Sequence, residues 1–205
     1  LDRSRSGTRA EFVSMVTQCK SAGVDIYVDA VINHMTAGAG TGSAGTVYTK
    51  YDYPGLFSNS DFHTPCSVSN YQSASNVQDC ELVGLADLRT DVATVQQKLA
   101  DYLVELARLG VSGFRIDAAK HIQPVELDGI IGRVNRTLTG EGRPTPYVFS
   151  EVIDYGGEAV RVQDYYGLGF SSGGASDITE FKFRGISDKF LRTGTQKLAD
   201  LTTFS

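Results

Sequence analysis

Apolar and polar positions alternate in blocks along this chain, and each block has a recognisable period. Between Thr8 and Ala22, Phe12, Val13, Met15, Val16 and Cys19 recur among polar residues, which predicts an amphipathic helix stopped by Gly23. Val24–Ile32 is a mostly apolar run that suits a strand buried on both faces, as in a parallel sheet covered by helices. The clearest helix is Asp91–Leu109, where Val92, Val95, Leu99, Tyr102, Leu103, Leu106 and Leu109 fall at helical spacing and Gly110 ends it. Residues 113–117 read as a strand and Asp128–Leu138 as a second amphipathic helix. A strand over Thr145–Ile153, a short helix over Glu158–Tyr166, a strand over Asp177–Phe183 and a helical stretch over Gly185–Phe204 follow.

The pattern breaks from residue 35 to about 84. Gly38, Gly40, Gly42 and Gly45 lie close together among Ser, Thr, Asn and Tyr, with no helical period. A structureless loop of roughly 50 residues would be abnormal, so an inserted small domain, irregular or β-rich, is expected over 35–86. Cys66 and Cys80 lie in it, and a disulfide between them would close a short loop. Cys19 is the third cysteine, and reads as a buried free thiol or as one whose partner lies outside these residues.

The order of helices and strands on either side of the insertion implies a parallel β/α architecture. Three of the four strands run into polar groups: Asp29 to His34, Arg115 to His121, and Glu151 to Asp154. Gly113-Phe114-Arg115-Ile116-Asp117-Ala118-Ala119-Lys120-His121 gathers a carboxylate, a guanidinium, an amine and an imidazole at one strand end. Alone it reads as well as a surface ion-pair cluster. Three polar strand ends in phase favour a site, since the C-terminal strand ends of a β/α barrel form its active face.

Composition narrows the classes. The chain has 205 residues, 41% hydrophobic and 21% charged, which suits an ordinary globular core. A net charge of -5 without a basic run gives no reason to expect nucleic acid or an anionic membrane surface. No apolar run is long enough to span a bilayer. The opening Leu1-Asp2-Arg3-Ser4-Arg5 shows no signal peptide and suggests a mature product or a piece of a longer chain.

Asp29-Ala30-Val31-Ile32-Asn33-His34, the Gly113–His121 stretch, and Glu151-Val152-Ile153-Asp154 resemble, in order and spacing, three signature regions of the alpha-amylase family of glycoside hydrolases. Leu82-Val83-Gly84-Leu85-Ala86-Asp87-Leu88 resembles a fourth, at the end of that family's inserted domain. Asn33-His34-Met35, Gln78-Asp79-Cys80 and the run from Glu151 to Glu158 are most similar to the animal and actinobacterial type. The resemblance implies a partial (β/α)8 TIM barrel of the α/β class, about strands 3 to 6, over 1–34 and 87–205. The inserted domain over 35–86 would follow strand 3. The family's third catalytic carboxylate, in an Asn-His-Asp motif, has no counterpart in these residues. The 205 residues alone are therefore expected to be inactive.

By the same resemblance Asp117 is the nucleophile, Glu151 the acid/base and Arg115 the residue that orients Asp117. Carboxylates at the ends of adjacent parallel strands, about 4.8 Å apart, fall near the separation of about 5–5.5 Å that retaining glycosidases need. A partly apolar setting from Val152 and Ile153 would favour a protonated Glu151. Implied sugar contacts are His34, Lys120, His121 and Glu158, with Tyr71, Leu82, Leu85 and Ile153 as apolar platforms. Plainer roles for these are a structural histidine, a solvated charge and ordinary packing. Asn33, Asp79 and Asp87, with the carbonyls of Gln78 and His121, resemble the family's calcium site, against plain turn hydrogen bonding for the two aspartates. Chloride at Arg115 is left open. The implied activity is endo-hydrolysis of alpha-1,4-glucosidic bonds in an alpha-glucan polysaccharide, starch or glycogen, by a secreted enzyme, monomeric at full length. A transglycosylase of the same superfamily would share these residues. A non-catalytic relative would have lost Asp117 and Glu151.

Overall fold

The computed structural model of the chain describes residues 2–168, 176–195 and 197. Two short strands, β1 (Arg3–Ser4) and β2 (Gly7–Thr8), pair antiparallel, and Thr8 then caps α1 (Arg9–Ser21). The cap is reciprocal. Thr8 Oγ1 accepts from the Glu11 N–H at 3.3 Å, and the Glu11 carboxylate accepts from the Thr8 N–H at 2.7 Å. Next come β3 (Tyr27–Ala30), β4 (Gly40–Thr41), β5 (Val47–Tyr48), α2 (Ala74–Gln78) and α3 (Ala93–Arg108). β6 (Gly113–Ile116), α4 (Pro124–Gly140), β7 (Tyr147–Ser150), β8 (Ser176–Ile178) and α5 (Phe183–Ser187) follow, and a π-helical stretch, Asp188–Arg192, continues α5.

β3, β6, β7 and β8 form one parallel sheet in that order. Ala30, Ile116 and Ser150 stand side by side in register, and Ile178 completes the row. Ala30, Phe114, Ile116, Val148 and Ser150 are buried on one face of the sheet. α3 and α4 pack on each other, and both feed the same core, with Val95, Leu99, Leu103 and Leu106 from one and Leu127, Ile130, Ile131, Val134 and Leu138 from the other. Four of the seven periodic apolar residues are thus buried, and Val92, Tyr102 and Leu109 are half-buried. α1 is less embedded. Val16 is buried, whereas Met15 is 39% exposed.

The opposite sheet face corrects the expectation that Val24–Ile32 is buried on both sides. Tyr27 is 51% exposed, and the Asp29 side chain and Val31 are open as well. No described residue covers this face, so only Ala30 and Ile32 of that run are fully enclosed. The Tyr27 and Tyr147 rings lie 5.5 Å apart across it, and Phe149 continues the row 6.0 Å from Tyr147. Gly113 sits beneath them. A Cβ there would fall 2.8 Å from the Tyr27 ring and 2.8 Å from the Tyr147 carbonyl oxygen, so this close approach requires glycine.

Residues 35–86 leave and re-enter at one neck. The Met35 N–H donates to the Ala86 carbonyl at 2.8 Å, the Leu88 N–H to that of Asn33 at 3.0 Å, and His34 bridges to Asp87. Inside the segment Tyr53, Phe57, Phe62 and Val77 are buried and join the core of the sheet and helices. The Cys66–Cys80 disulfide is formed, and Cys19 is a half-buried free thiol.

Two further expectations change. Glu158–Tyr166 is not a helix; only Val162–Asp164 makes a 3-10 turn. Its backbone donors are spent elsewhere. The Asp154 carboxylate accepts from the N–H groups of Gly156 at 2.6 Å and Val162 at 3.0 Å, and the Ala159 N–H donates to the Tyr71 carbonyl at 2.9 Å. The strand expected over Asp177–Phe183 is only Ser176–Ile178. Of the helical stretch expected over Gly185–Phe204, Gly185–Arg192 is helical, as the end of α5 and the π-helical stretch, and 196 and 198–204 lie outside the described residues.

Candidate active site

The ladders of β3, β6 and β7 continue past the strand ends, with the Asp117 N–H on the Ala30 carbonyl of β3 at 3.1 Å and the Glu151 N–H on the Ile116 carbonyl of β6 at 2.9 Å. Asp117 and Glu151 are therefore neighbours at the C-terminal edge of adjacent parallel strands. One guanidinium binds both. Arg115 Nη1 donates to Asp117 Oδ1 at 3.0 Å, and Nη2 lies 2.7 Å from Glu151 Oε1. Asp29, at the end of β3, pairs with the same Nη1. Strand alternation puts Asp29, Arg115 and Asp117 on the open face.

Glu151 has polar partners besides its expected apolar neighbours Val152 and Ile153. Val152 is buried, Ile153 is 39% exposed, and the second Glu151 oxygen accepts from the Ala118 N–H at 3.1 Å. Ala118 reaches it from a left-handed conformation at φ +50°, which costs a residue with a Cβ about 1–2 kcal/mol. Strain of this kind gathers at sites where neighbours over-determine the geometry.

A hollow opens beside this pair, walled by Tyr71, Leu82, Lys120, Ile153 and Glu158, with Glu151 at its edge. Lys120 is 4% exposed. Its ammonium donates to the Ile153 carbonyl at 2.7 Å, pairs with Glu158 and lies 4.9 Å from the centre of the Tyr71 ring. Lys120 is thus an anchored wall, not a free charge. His34 stands on the Asp117 side, where burial lowers its pKa and the Asp117 charge partly restores it. Leu85 is half-buried and lines no part of the hollow.

The five residues expected to hold a cation converge only in part. Asn33 Nδ2 donates to Asp87 Oδ1 at 3.3 Å, and both residues are almost fully buried. Burial pushes the Asp87 carboxyl up to about 6, His63 and Asn33 pull it down, and the Asp79 charge adds to the rise. His121 is tied to the end of α2, where its Nδ1 donates to the Val77 carbonyl, one residue before Gln78, at 2.7 Å. A buried carboxylate, a half-buried one whose charge repels it and an adjoining amide are donor chemistry for a hard divalent cation, so these residues fit calcium. Among the described residues no group of three or more His, Cys, Asp and Glu side chains makes a metal cluster, so such a site would depend on amide and carbonyl oxygens. Chloride fares differently. Both terminal nitrogens of Arg115 are taken by Asp29, Asp117 and Glu151, and this acidic ring does not by itself make an anion site.

Sequence reasoning gave no site role to four residues. His63 Nδ1 lies 2.7 Å from Asp87 Oδ2, and Asp154 organises the wall carrying Glu158. Asp29 joins Arg115, and Tyr165 lies buried behind Lys120. Asp154 lay inside a recognised run and could have been flagged as an Asx-type cap ahead of Gly156. His63 and Tyr165 sit in no motif.

The comparisons agree with this geometry. The model of the family described as "Alpha amylase, catalytic domain" matches residues 3–136. An alpha-amylase of Thermomonospora curvata is 47% identical over 98% of this chain and 33% of its own length. One from Tribolium castaneum is 42% identical over 98% of this chain and 41% of its own. The crystal structure of alpha-amylase I from Eisenia fetida superposes with a TM-score of 0.85 at 37% identity, covering 98% of this chain and 42% of that one. A Glu-to-Gln mutant of the same enzyme was solved with maltohexaose, and superposes at 0.86 with 37% identity over the same shares. The chain thus spans a third to two-fifths of these relatives, and its four-stranded parallel sheet with flanking helices is part of their barrel. With the residues about Asp29, Asp117 and Glu151 standing in one strand-end row, the chain belongs to the alpha-amylase catalytic-domain family of glycoside hydrolases.

Proposed function

We propose that the protein carrying this chain hydrolyses internal alpha-1,4-glucosidic bonds of starch or glycogen, with retention of configuration, outside the cell. In this reading 1–34 and 87–205 belong to the barrel and 35–86 is its inserted domain. The observation that carries it is the single Arg115 guanidinium held between Asp117 and Glu151 on adjacent strand ends. In the first step an Asp117 oxygen attacks the anomeric carbon while Glu151 gives its proton to the departing glycosidic oxygen. A glucosyl ester forms on Asp117. Glu151, now a base, takes a proton from water, which attacks the same carbon and frees Asp117. Arg115 keeps the Asp117 carboxylate oriented through both steps.

Tyr71, Leu82 and Ile153 give the sugar faces an apolar wall, Lys120, His121 and Glu158 give polar edges, and His34 reaches a hydroxyl from the Asp117 side. Leu85 is assigned to packing. Calcium, held by Asn33, Asp79, Asp87 and the carbonyls of Gln78 and His121, would fix the neck of the 35–86 segment to the strand ends. The disulfide supports an oxidising, extracellular setting. The test is product analysis of the full-length protein on maltooligosaccharides and starch. Internal cleavage with retained anomers supports the reading. Products longer than the substrate assign transglycosylation instead, and no turnover sinks both.

A further inference from the structure

Tyr165 is fully buried behind the hollow, and its hydroxyl ties three distant pieces of chain together. The O–H donates to the Ile122 carbonyl at 2.6 Å, with the Lys120 carbonyl 3.2 Å away. The oxygen accepts from Gln78 Nε2 at 3.0 Å. A second strut runs alongside, the 2.7 Å bond from His121 to the Val77 carbonyl. The backbone of α2 at its C-terminal end is therefore locked to the turn after β6 by two bonds, one of them through a residue beyond β7.

We propose that Tyr165 is a positioning residue for the cation site. It sets the spacing between the Gln78 and His121 carbonyls by holding the Gln78 side chain and both neighbours of His121 at once. The inference rests on the calcium reading above. Packing alone would be met by phenylalanine, because a buried hydroxyl is costly unless it is hydrogen-bonded. Here its partners are Gln78 itself and the residues that flank His121 on either side.

The experiment uses the full-length protein, stripped of metal with a chelator and titrated with calcium alone. Dissociation constants come from calorimetry and melting temperatures from both the stripped and the loaded form. Tyr165→Phe keeps the ring and removes the hydroxyl. Loss of an outer-shell partner typically weakens metal binding by about 10–100-fold, and that loss is expected here with little change in the stripped form's melting temperature. Gln78→Met removes the side-chain donor while keeping the backbone carbonyl, and should weaken calcium in the same direction. It also serves if Tyr165→Phe does not fold. Tyr166→Phe, on a 67% exposed neighbour, is the control that should change nothing. Calcium affinity unchanged in Tyr165→Phe, or in Gln78→Met where the first does not fold, overturns the inference. So does a lower melting temperature in both forms without a change in affinity. A wild-type protein that takes up no calcium removes the calcium reading, and this inference with it.

Discussion

The charged cluster about Arg115 and the buried junction about Tyr165 lie on either side of Glu151 and Lys120, yet they are built on opposite principles. The first is open and ionic: Asp29, Asp117 and Glu151 converge on a partly exposed guanidinium. The second is closed and neutral, a phenol, an amide and carbonyls with almost no solvent contact. Groups that must meet substrate have to be reachable, and they are held by charge because charge still acts near water. Groups that must only keep a spacing are better held by dry hydrogen bonds, whose loss leaves an unpaired buried atom.

Mutations can break this contrast, and the largest effects belong to the open cluster. Glu151→Gln in the full-length protein should lower kcat by about 10²–10⁴-fold, the range for a positioned proton-transfer group, and Asp117→Asn should lower it further. Steady-state rates on starch decide it, and normal turnover in either variant would remove that residue from the chemistry. Arg115→Met should cost about 10²–10³-fold in kcat with a smaller change in KM, as for other preorganised donors. Arg115→Lys should recover little, since one ammonium cannot span both carboxylates with a planar fork.

Smaller effects lie in stability. Leu103→Ala, in the α3–α4 core, should cost about 2–5 kcal/mol in denaturant unfolding while leaving the folded enzyme's kcat intact. Replacing both Cys66 and Cys80 with serine opens a loop with a sequence separation of 14 and should cost about 3 kcal/mol. If instead the double variant lost turnover and kept its stability, the division between reaction and scaffold would be wrong in the 35–86 segment.

Most of the frame was legible because local pattern and burial agree in it. α3 and α4 carry their apolar residues at helical spacing, and most of those residues are enclosed. Asp117 and Glu151 stood in recognisable strand ends. The failures have one kind of cause. Glu158–Tyr166 was expected as a short helix, but Asp154 and Tyr71 take its backbone bonds, and neither partner is in the helix window. The open face of Val24–Ile32 depends on what lies against the sheet, which an apolar run cannot specify. His63 and Tyr165 act through partners 24 and 43 or more residues away, and no local motif marks such a pair.

Ala118 bears on how freely this site can change its sequence. Its backbone conformation is one that glycine adopts at no steric cost, while its side chain helps line the hollow. Larger and branched residues are penalised twice, by the left-handed φ and by the space they would take from the hollow. Glycine would relax the turn and keep the N–H that now meets Glu151, but would loosen the backbone that aims it. Position 118 therefore has a short alphabet, and drift at the strand end is confined by a methyl group that neither reacts nor binds.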